Sequence, residues 1–292
     1  MTSTISTGDY RGAPADSIQY HYDIGNEFYE LWLDPSRTYS CALWEDGDSL
    51  HSAQLRKLDY LIGQARAAGA GRVLDIGCGW GSLLRRLTEQ HGVRQAVGLT
   101  LSTAQADAIR PELPASCEVR LENWFDHRPD TPYDAIISIG AFEHFARYGM
   151  PRPERVTGYR QFFRRCRDWL PPGGRLAVQT IAKGNNVRLD RRTIDDLRFV
   201  IELVFPDSEL PWFSEVLEAS EKLFECVAVR NDAEHYARTC TAWHEGLVAN
   251  REHAVRLVGE ENVQRYERYL QVLAYQFEAH HLSLLRFTFE RM

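Results

Sequence analysis

The chain has 292 residues, 44% hydrophobic and 26% charged, a globular profile with room for one large domain or two small ones. Its 34 Lys and Arg against 41 Asp and Glu give a formal charge of -7, which argues against a dedicated nucleic-acid binder. No run approaches the ~20 apolar residues that span a bilayer, and the first twenty residues lack the charged start and apolar run of a signal peptide. The six cysteines (Cys41, Cys78, Cys117, Cys166, Cys226 and Cys240) form no CxxC pair, so neither a disulfide framework nor a zinc site is expected. The expectation is a soluble cytoplasmic protein without a bound metal.

Residues 1–15, rich in Gly, Pro, Ser and Thr, read as a flexible tail, and residues 16–292 as one domain. Its first part, 16–70, is helical. Tyr20, Phe28, Leu31 and Trp32 suggest short helices between Ser17 and Leu33, and Leu55, Leu58, Leu61 and Ile62 predict a helix from Leu50 to Ala68. The core, 71–183, alternates strand and helix. Strands are expected at Arg72–Ile76, Gln95–Thr100, Cys117–Leu121, Tyr133–Ile139 and Arg175–Ile181. Helices are expected at Ser82–His91, after Ser102 as an N-cap, and at Gly158–Leu170, where Pro171-Pro172-Gly173-Gly174 stops the chain. Residues 184–220 break the rhythm at Phe205-Pro206 and Leu210-Pro211 and read as a cap insertion. The last part, 221–292, predicts a strand at Leu223–Val229, helices at Ala233–Ala249 and Glu260–Ala279, and a strand at Leu282–Phe289. This is an α/β pattern with a mostly parallel sheet covered on both faces.

Val73-Leu74-Asp75-Ile76-Gly77-Cys78-Gly79-Trp80-Gly81 sets three alternate glycines between a strand and a helix. Glycine permits the sharp turn and a close approach of ligand to backbone, beyond the carboxyl ends of the strands. The spacing is G-x-G-x-G rather than the dinucleotide G-x-G-x-x-G, and with the preceding Asp it points to S-adenosylmethionine (SAM). The second strand ends in Val97-Gly98-Leu99-Thr100 with no carboxylate for ribose hydroxyls, so another part of the chain must supply those contacts.

Further segments carry a resemblance. They are His21 to Tyr29, Leu33-Asp34-Pro35, Thr38-Tyr39-Ser40-Cys41, Gly98 to Ser102 with Gln105, Ser138 to His144, Val204-Phe205-Pro206, and His235 to Thr239 with Trp243. Together with the glycine turn they closely resemble the cyclopropane fatty acid synthase and mycolic acid cyclopropane synthase family of SAM-dependent methyltransferases, from about Tyr20 onward. The resemblance implies a Rossmann-like class I methyltransferase fold with a helical cap over the active site. It also implies methyl transfer from SAM to the double bond of a lipid acyl chain, with a bound bicarbonate removing the proton in the ring-forming members. Carried over by position, Tyr39, Ser40, Asp75, Gly77, Gly79, Thr100, Leu101, Gln105 and Trp124 would bind SAM. Cys41, the Ile139 backbone, Glu143 and Tyr236 would surround the bicarbonate. Gln179 departs from the family, whose usual residue before Thr-Ile is a histidine; glutamine can donate through its amide but cannot titrate. Asn123, the loop Arg147–Pro153 and residues 184–200 depart as well.

An alkene attacks the sulfonium methyl without prior deprotonation, and the carbocation that results must be kept dry and then lose a proton. Glu143, directly or through bound bicarbonate, is the preferred proton acceptor. Tyr236 is the second candidate, as an anion ligand or a donor to Glu143; His144 and His235 read as structural hydrogen-bonders. Aromatic faces stabilise a cation, and Tyr22, Phe28, Tyr29, Phe142, Phe145, Phe205, Trp212, Phe213 and Tyr236 are candidates among which most are expected to be core. With glutamine at 179, the proton is expected to leave a substrate carbon and give a methylated alkene rather than a cyclopropane. Lys183, Arg188, Arg191, Arg192 and Arg198 read either as a solvated helix face or as a recogniser of substrate phosphate. Three readings stay open: an unsaturated acyl lipid, a small isoprenoid such as isopentenyl diphosphate, and a catalytically silent SAM-binding partner protein. Retention of Cys41, Glu143 and Tyr236 argues against the last.

Overall fold

The computed structural model describes residues 24–203 and 208–292. The tail and the expectations for Tyr20, Tyr22, Val204, Phe205 and Pro206 lie outside the described residues. Seven strands, β1 (Arg72–Ile76), β2 (Gln95–Thr100), β3 (Cys117–Leu121), β4 (Ala135–Ile139), β5 (Arg175–Lys183), β6 (Phe224–Asn231) and β7 (Leu282–Arg291), form one sheet in the order β3-β2-β1-β4-β5-β7-β6. The first five are parallel, and β7 lies antiparallel between β5 and β6. The sheet is therefore a mixed one, mostly parallel as the alternation of elements implied.

Parallel neighbours need crossovers. α3 (Ser82–Gln90) follows β1, α4 (Thr103–Ile109) follows β2, and α5 (Arg152–Trp169) joins β4 to β5. Successive strand residues point to opposite faces, so Leu74 and Ile76 pack with Phe142, Phe162 and Trp169, whereas Val73 packs with Leu58, Leu61 and Leu87. That second face is covered by α3 and by α2 (Leu50–Gln64). A third core joins α1 (Asn26–Glu30) to α8 (Ala233–Ala249) and α10 (Glu260–Glu278) through Phe28, Tyr29, Trp32, Trp243, Tyr266 and Phe277. α6 (Arg191–Leu203), α7 (Phe213–Ser220) and the short α9 (Arg251–Val258) complete the described elements.

Most elements fall where the periodicity placed them, and Ser102 caps α4 by accepting a hydrogen bond from the Gln105 N–H. Two differences have plain causes. α5 starts at Arg152 rather than Gly158, because Pro153 is tolerated in a first turn, where its missing N–H would be unpaired anyway. α9 was not expected, since eight residues are too few for an apolar stripe to stand out.

Candidate active site

The site lies beyond the carboxyl ends of β1, β2, β4 and β5, as two cavities that share Tyr39, Ser40, Gly140 and His144. The smaller one is built on the glycine turn. Gly77 takes φ +86, and a Cβ there would sit 2.7 Å from the Ala141 Cβ, so no larger residue fits without movement. Its N–H and that of Cys78 both donate to the Leu99 carbonyl at 2.9 Å, which ties the turn to β2. Gly79, at φ +52, has open space where a Cβ would project.

All nine residues carried over as cofactor ligands line this smaller cavity. Tyr39 and Ser40 come from the segment before α2. Asp75, Gly77 and Gly79 come from the end of β1, Thr100, Leu101 and Gln105 from the end of β2 and the start of α4, and Trp124 from the segment after β3. At the end of β2 the Thr100 hydroxyl donates to Gln105 Oε1 at 3.1 Å. Ile139, the end residue of β4, borders the same cavity.

Burial pushes the Asp75 carboxyl up to about 7, opposed by the nearby Lys57 ammonium. Its Oδ1 is buried and has no hydrogen-bond partner among the described residues. Lys57 was not expected here. It lines the cavity, donates to Ser40 Oγ at 2.8 Å, and is pushed down to about 7, first by burial and then by Arg286. A carboxylate short of donors, an open backbone turn and polar side chains at the end of β2 fit SAM, which brings an ammonium, a sulfonium and ribose hydroxyls. Replacing Asp75 by Asn is expected to weaken binding of S-adenosylhomocysteine by about 10- to 100-fold, the worth of one charged hydrogen bond. Titration calorimetry measures this, and an unchanged affinity would remove Asp75 from the cofactor contacts.

The larger cavity, about 760 Å³, is lined by Glu143, Gln179 and Tyr236 of the expected site residues. Side chains alternate along β5, so Gln179, Ile181 and Lys183 share the face that borders it. Glu143 sits in a 3₁₀ turn, Phe142–His144, where Oε1 accepts the Ile181 N–H at 2.6 Å. Its Oε2 is buried without a hydrogen-bond partner among the described residues, and burial pushes the carboxyl up to about 7. Tyr236, on α8, stacks on Phe277 at 4.6 Å, and burial raises its phenol. His144 is pushed down to about 4 by burial and faces the Ser208 hydroxyl at 2.9 Å, which fits the structural reading.

Cys41 lines neither cavity. It is fully buried, its thiol is pushed up to about 12 by burial, and its Sγ donates to the Ala42 carbonyl. What it offers the site is its own carbonyl, which accepts from Gln179 Nε2 at 3.4 Å. Of the expected aromatics, Trp212 and Tyr236 line the large cavity and Phe145 the small one; Phe28, Tyr29 and Phe142 are core, and Phe213 is exposed. Tyr269 was missed: it lines the large cavity and its hydroxyl meets that of Tyr39 at 3.0 Å. Arg188, Arg191 and Arg192 are exposed and line neither cavity.

A Rossmann-like sheet with a cavity on its glycine turn, sharing lining residues with a second cavity, is the arrangement of a class I SAM-dependent methyltransferase. The family model of mycolic acid cyclopropane synthetase matches residues 11–287, and the chain belongs to that family. It is 35% identical to cyclopropane mycolic acid synthase 3 of Mycobacterium tuberculosis over 289 residues, covering 94% of this chain and 96% of the relative. The structure of the cyclopropane synthase MmaA2 from M. tuberculosis aligns with TM-score 0.88 and 33% identity over 97% of this chain and 100% of that one. The mycolic acid cyclopropane synthase CmaA1, solved with S-adenosylhomocysteine and CTAB, aligns with TM-score 0.87 and 33% identity over 96% of this chain and 99% of that one. The protein is thus a SAM-dependent methyltransferase. No helix among the described residues is long and apolar enough to cross a membrane.

Proposed function

We propose that this enzyme methylates an alkene carbon of an unsaturated, mainly apolar chain held in the large cavity, and that Glu143 receives the proton released afterwards. The observation that carries this reading is the pairing of the cavity's cations. Lys183 is bound by Glu209 and Arg155 by Glu215, so no unpaired Lys or Arg among the described residues lines the cavity to meet a diphosphate. At about 760 Å³ the cavity is also within the ~300–1,000 Å³ range of sites that enclose a drug-sized ligand. The arginines at 188, 191 and 192 then belong to a solvated face, with Arg192 facing Asp196 at 3.7 Å one turn along α6.

When bound in the smaller cavity, SAM would supply an electrophilic methyl group. The residues shared by the two cavities, Tyr39, Ser40, Gly140 and His144, would position the alkene, and this positioning is the main catalytic task, because the alkene itself is the nucleophile. Tyr39, Tyr236, Tyr269 and Trp212 line the large cavity and offer aromatic faces to the developing positive charge and cover against water. Glu143 Oε2 is the acceptor for the departing proton. A proton taken from the transferred methyl closes a cyclopropane; one taken from the neighbouring substrate carbon leaves a methylated alkene, the outcome we favour for a neutral residue at 179. A bicarbonate beside Glu143 would relay the same proton.

SAM with a fully deuterated methyl, offered with dioleoyl phosphatidylglycerol vesicles and separately with isopentenyl and geranyl diphosphates, tests the reading. Mass spectrometry is expected to find label in the acyl chains with all three deuteriums retained. Loss of one deuterium would mean ring closure or an exocyclic methylene, and label in a prenyl diphosphate alone would replace the apolar chain by an isoprenoid.

A further inference from the structure

The last buried charge of the site is Arg286, 1% exposed in the middle of β7. In the register of the sheet Ile139, Gln179 and Arg286 lie side by side on β4, β5 and β7. Arg286 Nε donates to Gln179 Oε1 at 2.8 Å, Nη2 donates to the Ala42 carbonyl at 3.1 Å and the Cys41 carbonyl at 3.3 Å, and Nη1 pairs with buried Asp232. Asp232 precedes α8, the helix that carries Tyr236. One guanidinium therefore joins β5, the segment before α2 and the start of α8 directly behind the large cavity.

A guanidinium can only donate and a carbonyl can only accept. Arg286 therefore forces the oxygen of the Gln179 amide toward itself, and the Cys41 carbonyl draws the nitrogen the other way, so both neighbours select the same orientation. The amide has two N–H bonds. One is directed to Cys41; the other makes no hydrogen bond among the described residues, Glu143 Oε2 included, and Gln179 lines the large cavity. The Glu143 carboxylate is held on the same strand two residues further on, by the Ile181 N–H.

We propose that Arg286 is a positioning residue for methyl transfer: by pinning Gln179 Oε1 it fixes the amide N–H2 as a neutral donor aimed at the oxyanion that takes the proton. That oxyanion is either Glu143 itself or a small carboxylate-like anion, such as bicarbonate, beside it. The inference rests on the alkene-methylation reading above. It gives the departure at 179 a structural partner, because an imidazolium in that place would face a guanidinium, whereas an amide satisfies it.

The test compares kcat, KM and S-adenosylhomocysteine affinity for three variants in the full chain. Gln179→Glu keeps an acceptor for Arg286 but has no N–H to give; kcat is expected to fall by about 10²–10³-fold, as when one preorganised donor is removed, with cofactor affinity unchanged. Arg286→Gln/Asp232→Asn keeps the buried pair neutral but leaves only the Cys41 carbonyl, at 3.4 Å, to orient the Gln179 amide, and kcat is expected to fall while KM holds. Arg286→Lys keeps a group that only donates, and most of kcat should return. Wild-type kcat in Gln179→Glu or in the double variant would overturn the proposal. Assays in carbon-dioxide-depleted buffer, with and without added bicarbonate, separate the two sources of the oxyanion: dependence on bicarbonate assigns the bound anion, independence assigns Glu143.

Inactivity of the wild-type enzyme on every alkene would sink the methylation reading and the catalytic role that rests on it, whereas the orientation of the Gln179 amide by Arg286 has its own readout. The side-chain amide of Gln179 should give a single sharp pair of nitrogen-15 resonances in wild type and Arg286→Lys, and exchange-averaged ones in the double variant. An amide already flipping in wild type would overturn the role of Arg286.

Discussion

Replacing Glu143 by Gln is expected to lower kcat by about 10²–10⁴-fold, the usual worth of a positioned general base, while the fold and the cofactor site persist. The glutamine oxygen can still accept the Ile181 N–H that Oε1 accepts now, so the 3₁₀ turn keeps its tie to β5. What disappears is an oxygen able to take a proton. Because burial holds the Glu143 carboxyl at about 7, the wild-type rate should rise with pH through about 7 as the group ionises, and the variant should lack that limb. Stability moves the other way. A carboxyl raised from ~4.3 in the unfolded chain binds more protons when folded, so ionising it costs folding free energy as pH climbs from about 4 to about 7. The variant should therefore gain on wild type in urea melts across that window and hold a constant advantage above it. A rate unaffected by the substitution, or a pH limb that survives it, would move the proton acceptor elsewhere.

Substituting Arg286 by Ala has the largest expected effect on stability. Arg286 and Asp232 are both almost fully buried. Removing the arginine takes the donor from Gln179 Oε1 and from the Cys41 and Ala42 carbonyls, and leaves Asp232 with Arg230, which donates to its Oδ1, as the remaining cation. The expected loss is about 3–5 kcal/mol in denaturant unfolding, as for other broken buried pairs. Adding Asp232→Asn should recover part of it, because one buried charge is then gone. A loss of less than about 1 kcal/mol, the level of a surface pair, would mean that Arg230 alone satisfies Asp232.

The sequence carried the fold through its periodicities. β1, β2 and their helices announce themselves because an apolar run, a glycine turn and a helical stripe follow one another at close range. The cofactor cavity was legible for the same reason: Gly77 and Gly79 can be read locally, and the family resemblance added Tyr39 and Ser40 from a segment whose own pattern says little. Lys57 was legible but passed over. It shares the buried stripe of α2 with Gln54, Leu58 and Leu61, and two polar residues on such a stripe call for partners inside. Arg286 offered a weaker signal, a single charge within Leu284-Leu285-Arg286-Phe287, and its partner Asp232 lies 54 positions away on another element. For the cluster of cations after β5 the sequence left two readings open, a solvated face or recognition of a substrate phosphate, and Arg188, Arg191 and Arg192 are exposed.

The place of β7 has a consequence for how the molecule is made. β5 and β6 each pair with β7 and not with one another, so while the ribosome is still producing the stretch from Asp232 to His281 both strands present bare edges. At ~5–20 residues per second that interval lasts several seconds, and unpaired edges are templates for association with other nascent chains. When β7 does insert, it delivers Arg286 beside Gln179 in the same event that seals the sheet. The five parallel strands and the glycine turn can form earlier during translation, but catalytic competence waits for that final insertion. Stalled or truncated chains ending before Leu282 are thus expected to be both inactive and prone to co-aggregate.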